Sequence, residues 1–143
     1  MKKVLFILLI TSIILTIAAC GVANKEMTLL DHMSSISFSK SQGFGALNKN
    51  FSTIYHEKGV VSVFEGVIKN AKGKRENSIE NINEDKPDYD ILVEYVNGDY
   101  HLLHLILGQE GQESILMYVG NEYNLYYVTP EDTKKLRKIV KEH

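Results

Sequence analysis

The stretch that decides the fold runs Tyr89-Asp-Ile-Leu-Val-Glu-Tyr95, Val96-Asn-Gly-Asp99, Tyr100-His-Leu-Leu-His-Leu-Ile-Leu107. In the first part, Tyr89, Ile91, Val93 and Tyr95 fall on one side of an extended chain and Asp90, Leu92 and Glu94 on the other. Asn97-Gly98 suits a two-residue type I′ turn. The return strand is apolar on both sides, with Leu102 and Ile106 on one and Leu103, Leu105 and Leu107 on the other, as befits a central strand. Gly108 and Gly111 bracket a turn, residues 114–119 read as a third strand, Gly120-Asn121 as a turn, and residues 123–128 as a fourth.

Downstream, Thr129-Pro130-Glu131-Asp132 opens a helix: threonine as cap, proline at the first helical position, and two acids at the positive end. Leu136, Ile139 and Val140 form its buried stripe. Upstream, residues 35–39 alternate as a strand with Ile36 and Phe38 inward, residues 40–50 read as a loop, and residues 51–55 as a second strand. Val60, Val61, Val63, Phe64, Val67, Ile68 and Ala71 place an apolar stripe on a helix over 57–71, weakened by Gly59 and Gly66 and ended by Gly73. Residues 72–86 are polar and read as a loop with room for one helical turn. The expected architecture is α+β: a mainly antiparallel sheet in the order ββαββββα, with two helices packed on one face.

Length and composition fit this. The 143 residues carry a net charge of −2, 44% hydrophobic residues, two prolines, ten glycines without a repeat and one cysteine, which excludes collagen, wholesale disorder and an intrachain disulfide scaffold. Charge is segregated: +4 over 25–75, −12 over 76–132 and +4 over 133–143.

Met1-Lys2-Lys3 precedes sixteen uncharged residues, Val4 to Ala19. At ~1.5 Å per residue they make about 24 Å of helix, short for a permanent span and right for a secretory signal. Ile17-Ala18-Ala19-Cys20-Gly21 resembles the lipobox of bacterial lipoproteins. That resemblance implies cleavage between Ala19 and Cys20 and an S-diacylglycerol, with palmitate-like chains, on Cys20. Two acyl chains anchor stably where one does not. The expected organisation is a signal peptide over 1–19, a lipid-anchored tether over 20–33 and a single α+β domain over 34–143. The expected location is the extracytoplasmic face of the cell membrane, and Gly21 in place of an aspartate favours a Gram-positive cell envelope.

Ile36, Gly43-Phe44-Gly45 and Asn48, then Asn70-Ala71-Lys72, Pro87-Asp88-Tyr89-Asp90, Leu116-Met117 and Tyr126 together resemble the YhfM-like domain of small Gram-positive lipoproteins. The resemblance implies no catalytic residues and no established activity.

Chemistry-bearing patterns are sparse. His101 and His104 lie i, i+3 on a strand, hence on opposite faces, and cannot share one metal. His32 and His56 have no acidic or cysteine partner at ligand spacing. Asp85, Asp88, Asp90 and Glu94 form an acidic cluster that a hard cation would fit, against the plainer reading of a solvated strand face. Gly43-Phe44-Gly45 lacks the third glycine of a dinucleotide loop, and no Walker loop, nucleophile elbow or Ser-x-x-Lys is present. No cofactor, catalytic residue or nucleic-acid partner is expected. The sequence therefore favours a non-enzymatic, lipid-anchored domain that binds a protein or other envelope component. Its alternatives are an envelope hydrolase, or a surface-shaping accessory whose basic segments lie toward anionic lipid.

Overall fold

The computed structural model describes residues 25–75 and 86–141. The expected signal segment over 1–19, Cys20 and Asp85 lie outside them. The chain runs β1 (Lys25–Glu26), β2 (Met33–Lys40), β3 (Thr53–Tyr55), α1 (Lys58–Asn70), β4 (Lys72–Arg75), β5 (Tyr89–Tyr95), β6 (Tyr100–Ile106), β7 (Ser114–Tyr118), β8 (Asn121–Val128) and α2 (Pro130–Lys141). All strands pair antiparallel in one sheet of order β1-β4-β8-β7-β6-β5-β2-β3. The α+β class and the two helices match the expectation, and β6 is interior as its two apolar sides require.

The helix-facing side of the sheet carries Ile36, Phe38, Ile91, Val93, Leu103, Leu105 and Leu116, all buried against Val61, Phe64, Val67 and Ile68 of α1 and Leu136 and Ile139 of α2. Phe64 is fully buried and meets Phe38 edge to face at 5.9 Å. Val63, counted in the stripe from spacing, points outward at 42% exposure. A bulge between Met33 and Ser35 rotates the start of β2, so that Met33 joins the same buried side as Ile36. At α2 the cap is as the sequence requires: the Asp132 N–H donates to Thr129 Oγ1 at 3.2 Å.

Four local expectations are corrected. Residues 72–75 form β4 rather than loop, because Lys-Gly-Lys-Arg is held as a strand by backbone partners on β8 and β1 and needs no apolar alternation. The first helix ends at Asn70 with Ala71 already extended, so Gly73 does not terminate it and lies buried within β4. The β5–β6 turn is not type I′, since Asn97 has negative φ; Gly98 alone is left-handed (φ 87°). The Gly98 N–H donates to Tyr95 O and the Tyr95 N–H to Asp99 O, a three-residue loop with a glycine bulge. Finally, residues 25–33, expected as tether, lie on the fold. Met27 is buried, the Thr28 N–H donates to the Tyr118 hydroxyl at 3.0 Å, and the Val96 N–H donates to His32 O.

Two glycines respond oppositely to an added methyl. A Cβ on Gly66, inside α1, meets nothing within 4 Å, whereas one on Gly108 would lie 2.1 Å from Glu113 O, in a loop held by Arg137 Nη1 on Gly108 O. Gly66→Ala is expected to raise unfolding free energy by about 0.5–1 kcal/mol. Gly108→Ala is expected to lower it by about 1–3 kcal/mol. Denaturant melts of both variants check the pair of signs.

Candidate functional site

The sheet face away from the helices holds a buried polar cluster. Its strands present Ser35, Ser37, Ser39, Asp90 and His104, all buried, beside Met117 and Leu125. Asp90 and His104 are directly opposite on β5 and β6 and have zero exposure. A carboxylate only accepts, so the 2.8 Å contact between them is His104 Nδ1–H donating to Asp90 Oδ1. Asp90 Oδ2 accepts the Asn48 backbone N–H at 2.6 Å.

This second bond holds down the loop over 41–50. Ser39 Oγ donates to Asn48 O at 2.5 Å, Asn48 Nδ2 donates to Lys40 O at 2.8 Å, and Asn48 Oδ1 accepts the Asn50 N–H at 3.0 Å. So pinned, the loop sets the Phe44 ring edge-on to the His104 ring at 5.9 Å, with Gly43 and Gly45 on either side in the left-handed half of φ. His104 Nε2 has no hydrogen-bond partner and faces Glu122 Oε1 at 3.6 Å.

The expectation for Asp90 is therefore corrected: it is a buried pillar, not part of a solvated strand face. A cation held by the acidic run finds no support at the described positions. Asp88 Oδ2 accepts the Leu107 N–H at 2.7 Å, Asp90 serves His104 and Asn48, and Glu94 accepts from Ser35 Oγ at 2.5 Å. Among the described residues, no group of three or more His, Cys, Asp or Glu side chains is arranged around one ion. His101 and His104 do lie on opposite faces.

His101 belongs to an aromatic row on the helix side: Tyr95, His101, Tyr118 and Tyr126 meet edge to face at 5.4, 5.0 and 5.5 Å. Burial pushes the Tyr95 hydroxyl up to about 12, so it keeps its proton and donates to His101 Nδ1 at 2.8 Å. Most sheet tyrosines are packed, while Tyr100 is 61% exposed.

At the end of the sheet where β2 begins, an open cleft of about 430 Å³ is lined by His32, His56, Lys58, Ser62, Glu65 and Val96, among others. Sequence spacing gave no reason to associate His32 with His56. Both line it because β2 and β3 are antiparallel neighbours, which leaves the start of one strand and the end of the other at the same end of the pair. Glu65 is committed to Lys69 at 2.7 Å, which holds its carboxyl below the usual range.

Burial depresses His101 below the ordinary histidine value of 6.5, with Asp99 opposing. A depressed folded value favours the neutral ring, so this contribution to stability is complete above about pH 6.5 and lost as pH falls through the depressed folded value. The thermal midpoint is expected to fall from pH 7 to pH 5 less steeply in His101→Gln than in the parent chain, as scanning calorimetry would show.

No family model and no curated protein matches the chain. Among solved structures, a thioesterase-like protein from Clostridium sporogenes superposes with a TM-score of 0.62 at 21% identity, covering 78% of this chain and 96% of that one. At that identity the likeness is one of fold. The resemblance to the YhfM-like domain is overturned by these comparisons: its short motifs fall on turns, caps and core positions that the fold itself demands, and the structural likeness is to a thioesterase-like protein.

Proposed function

We propose that this chain is a lipid-tethered binding domain at the outer face of the cytoplasmic membrane, held by an S-diacylglycerol on Cys20 and recognising an envelope protein or other envelope component. The observation that carries the binding reading is the open cleft around His32, His56, Lys58 and Val96. It offers hydroxyl, imidazole, ammonium and apolar groups on one concave surface, the mixture a recognition site uses. The lipid reading rests on Ile17-Ala18-Ala19-Cys20-Gly21. No helix among the described residues is long and apolar enough to cross a membrane. With β1 starting at Lys25, five residues at ~3.5 Å each keep the fold within about 18 Å of the anchor.

A photo-crosslinking residue at Val96 or Ser62 in the full chain, in cells, is expected to capture one dominant partner, and a charge reversal at Lys58 to reduce the yield. Capture no different from that at a distant exposed site such as Lys138 would refute the cleft. Intact mass of the native product is expected to show diacylglycerol on Cys20, and Cys20→Ala to release the chain or leave it unprocessed. A free thiol at Cys20 removes the tether.

A second reading, an envelope hydrolase, has one specific observation in its favour: the Asp90–His104 pair, in which an acid orients a ring whose other nitrogen is basic. Thioester hydrolysis would be the reaction to try, given the thioesterase-like neighbour. Against it, the nearby hydroxyls of Ser35 and Ser39 donate elsewhere and Nε2 faces a carboxylate. Turnover of an acyl thioester that vanishes in His104→Gln would replace the binding reading with this one.

A further inference from the structure

We propose that the segment over 27–32 is a pH-released strap: the Tyr95 hydroxyl clips it to the sheet, and protonation of His101 opens the clip and frees the segment up to Met33. The strap depends on neither the lipid nor the cleft. It is seated by a handful of contacts. Met27 is buried in the core and Leu29 packs against it. The Thr28 N–H donates to the Tyr118 hydroxyl at 3.0 Å, and the Leu30 N–H donates to the Tyr95 hydroxyl. His32 O accepts the Val96 N–H at 3.0 Å. Beyond this point the chain is fixed, because Met33 begins β2 and gives its N–H to Glu65. A segment tied at so few points can open locally while the sheet behind it stays closed.

The Tyr95 oxygen is both acceptor and donor. It takes the Leu30 N–H and gives its own hydrogen to His101 Nδ1 at 2.8 Å. That arrangement needs a neutral ring with a lone pair on Nδ1. Burial supplies it, pushing the Tyr95 hydroxyl up to about 12 and holding His101 below the ordinary histidine value. When the ring takes up a proton, Nδ1 becomes a donor. Two donors, Nδ1–H and the Leu30 N–H, then converge on an oxygen whose own hydrogen has lost its acceptor. The conflict is relieved when the Leu30 N–H turns to water, which the partly exposed strap allows.

Little around His101 holds a positive charge in place. Asp99, on the β5–β6 loop, opposes the depression. β5, β7 and β8 present Tyr95, Tyr118 and Tyr126, whose hydroxyls burial keeps protonated. Glu65 of α1 is paired with Lys69, and Asp31 on the strap turns its carboxylate to the His32 N–H at 2.7 Å. A depressed value in the seated state means that proton uptake favours release. The strap is therefore seated above about pH 6.5 and is lost as pH falls through the depressed value, by at most about tenfold in the seated-to-open ratio per pH unit. Where Cys20 carries lipid, loss of the strap and of the two-residue β1 lengthens the reach from about 18 Å to roughly 45 Å at ~3.5 Å per residue.

The test follows amide exchange in the full chain in detergent at pH 7, 6 and 5, each amide normalised to its own intrinsic rate. Protection at Thr28 and Leu30 is expected to fall at least about 10-fold more than at Leu103 and Leu105 of β6 between pH 7 and pH 5. His101→Asn sets a carbonyl oxygen near the Nδ1 position and takes up no proton, so it is expected to abolish that excess. Tyr95→Phe is expected to lower protection at Leu30 already at pH 7 and to leave it without the excess fall. Protection at Leu30 that keeps step with β6 from pH 7 to pH 5, or an equal excess fall in His101→Asn, would overturn the proposal. So would ¹⁵N resonances placing a proton on His101 Nδ1 at pH 7. Should His101→Asn fail to fold, Tyr95→Phe decides: an excess fall at Leu30 as large as in the parent chain would overturn the clip.

Discussion

A carboxylate with no exposure at the middle of a sheet needs donors, and the way Asp90 obtains them organises one whole side of this protein. One donor comes from the neighbouring strand through His104 and the other from a loop through the Asn48 backbone. Removing either would leave part of a buried charge unmatched, a cost of several kcal/mol. The strand pair β5–β6 and the loop over 41–50 are thus coupled through two oxygens of one residue. The position of Phe44, the closure over His104 and the tautomer of that histidine all follow from the same coupling.

The helix side shows the opposite economy. There the sheet is apolar, and Phe64, Leu136 and Ile139 cover it without any need for exact polar partners. The N-terminal segment completes this cover. Met27 enters the core while Thr28 bonds the Tyr118 hydroxyl and Leu30 bonds Tyr95 through the backbone. A chain anchored at Cys20 would carry load directly into this segment, because β1 contributes only two residues to the sheet edge.

What could be read from the sequence divides along the same line. The meander over β5–β8, the stripe of α1 and the Thr129 cap were legible because each is a local pattern that its own residues enforce. The β1 and β4 strands were not, since Lys-Glu and Lys-Gly-Lys-Arg carry no alternation; β4 acquires strand geometry from β8, and β1 from β4. Asp90 was misread for a related reason. Its alternation with Leu92 and Glu94 looks like a solvated face, and Glu94 is exposed. Nothing within that strand announces that a loop forty residues earlier folds back over Asp90 alone. His104 was hidden by the register: a two-residue Asn97-Gly98 turn would pair Val96 with Asp99 and set Asp90 opposite Leu105, and only the three-residue loop over 96–98 brings His104 opposite Asp90. That His32 and His56 line one cleft was equally hidden, because it depends on the pairing of β2 with β3.

The chemistry open to His104 is set by what its free nitrogen faces. An acid–histidine pair aimed at a hydroxyl makes a nucleophile, because the ring can take the hydroxyl proton. The same pair aimed at a second carboxylate has no proton to take from an ionised partner and no electrophile to attack. Glu122 supplies that second carboxylate from the β7–β8 hairpin, where the Gly120 N–H donates to its Oε1 at 2.8 Å and holds it toward the ring. One oxygen thus answers to a backbone amide and to whatever lies against Nε2. Hydrolysis through this ring would require Glu122 to turn away and a hydroxyl or water to take its place.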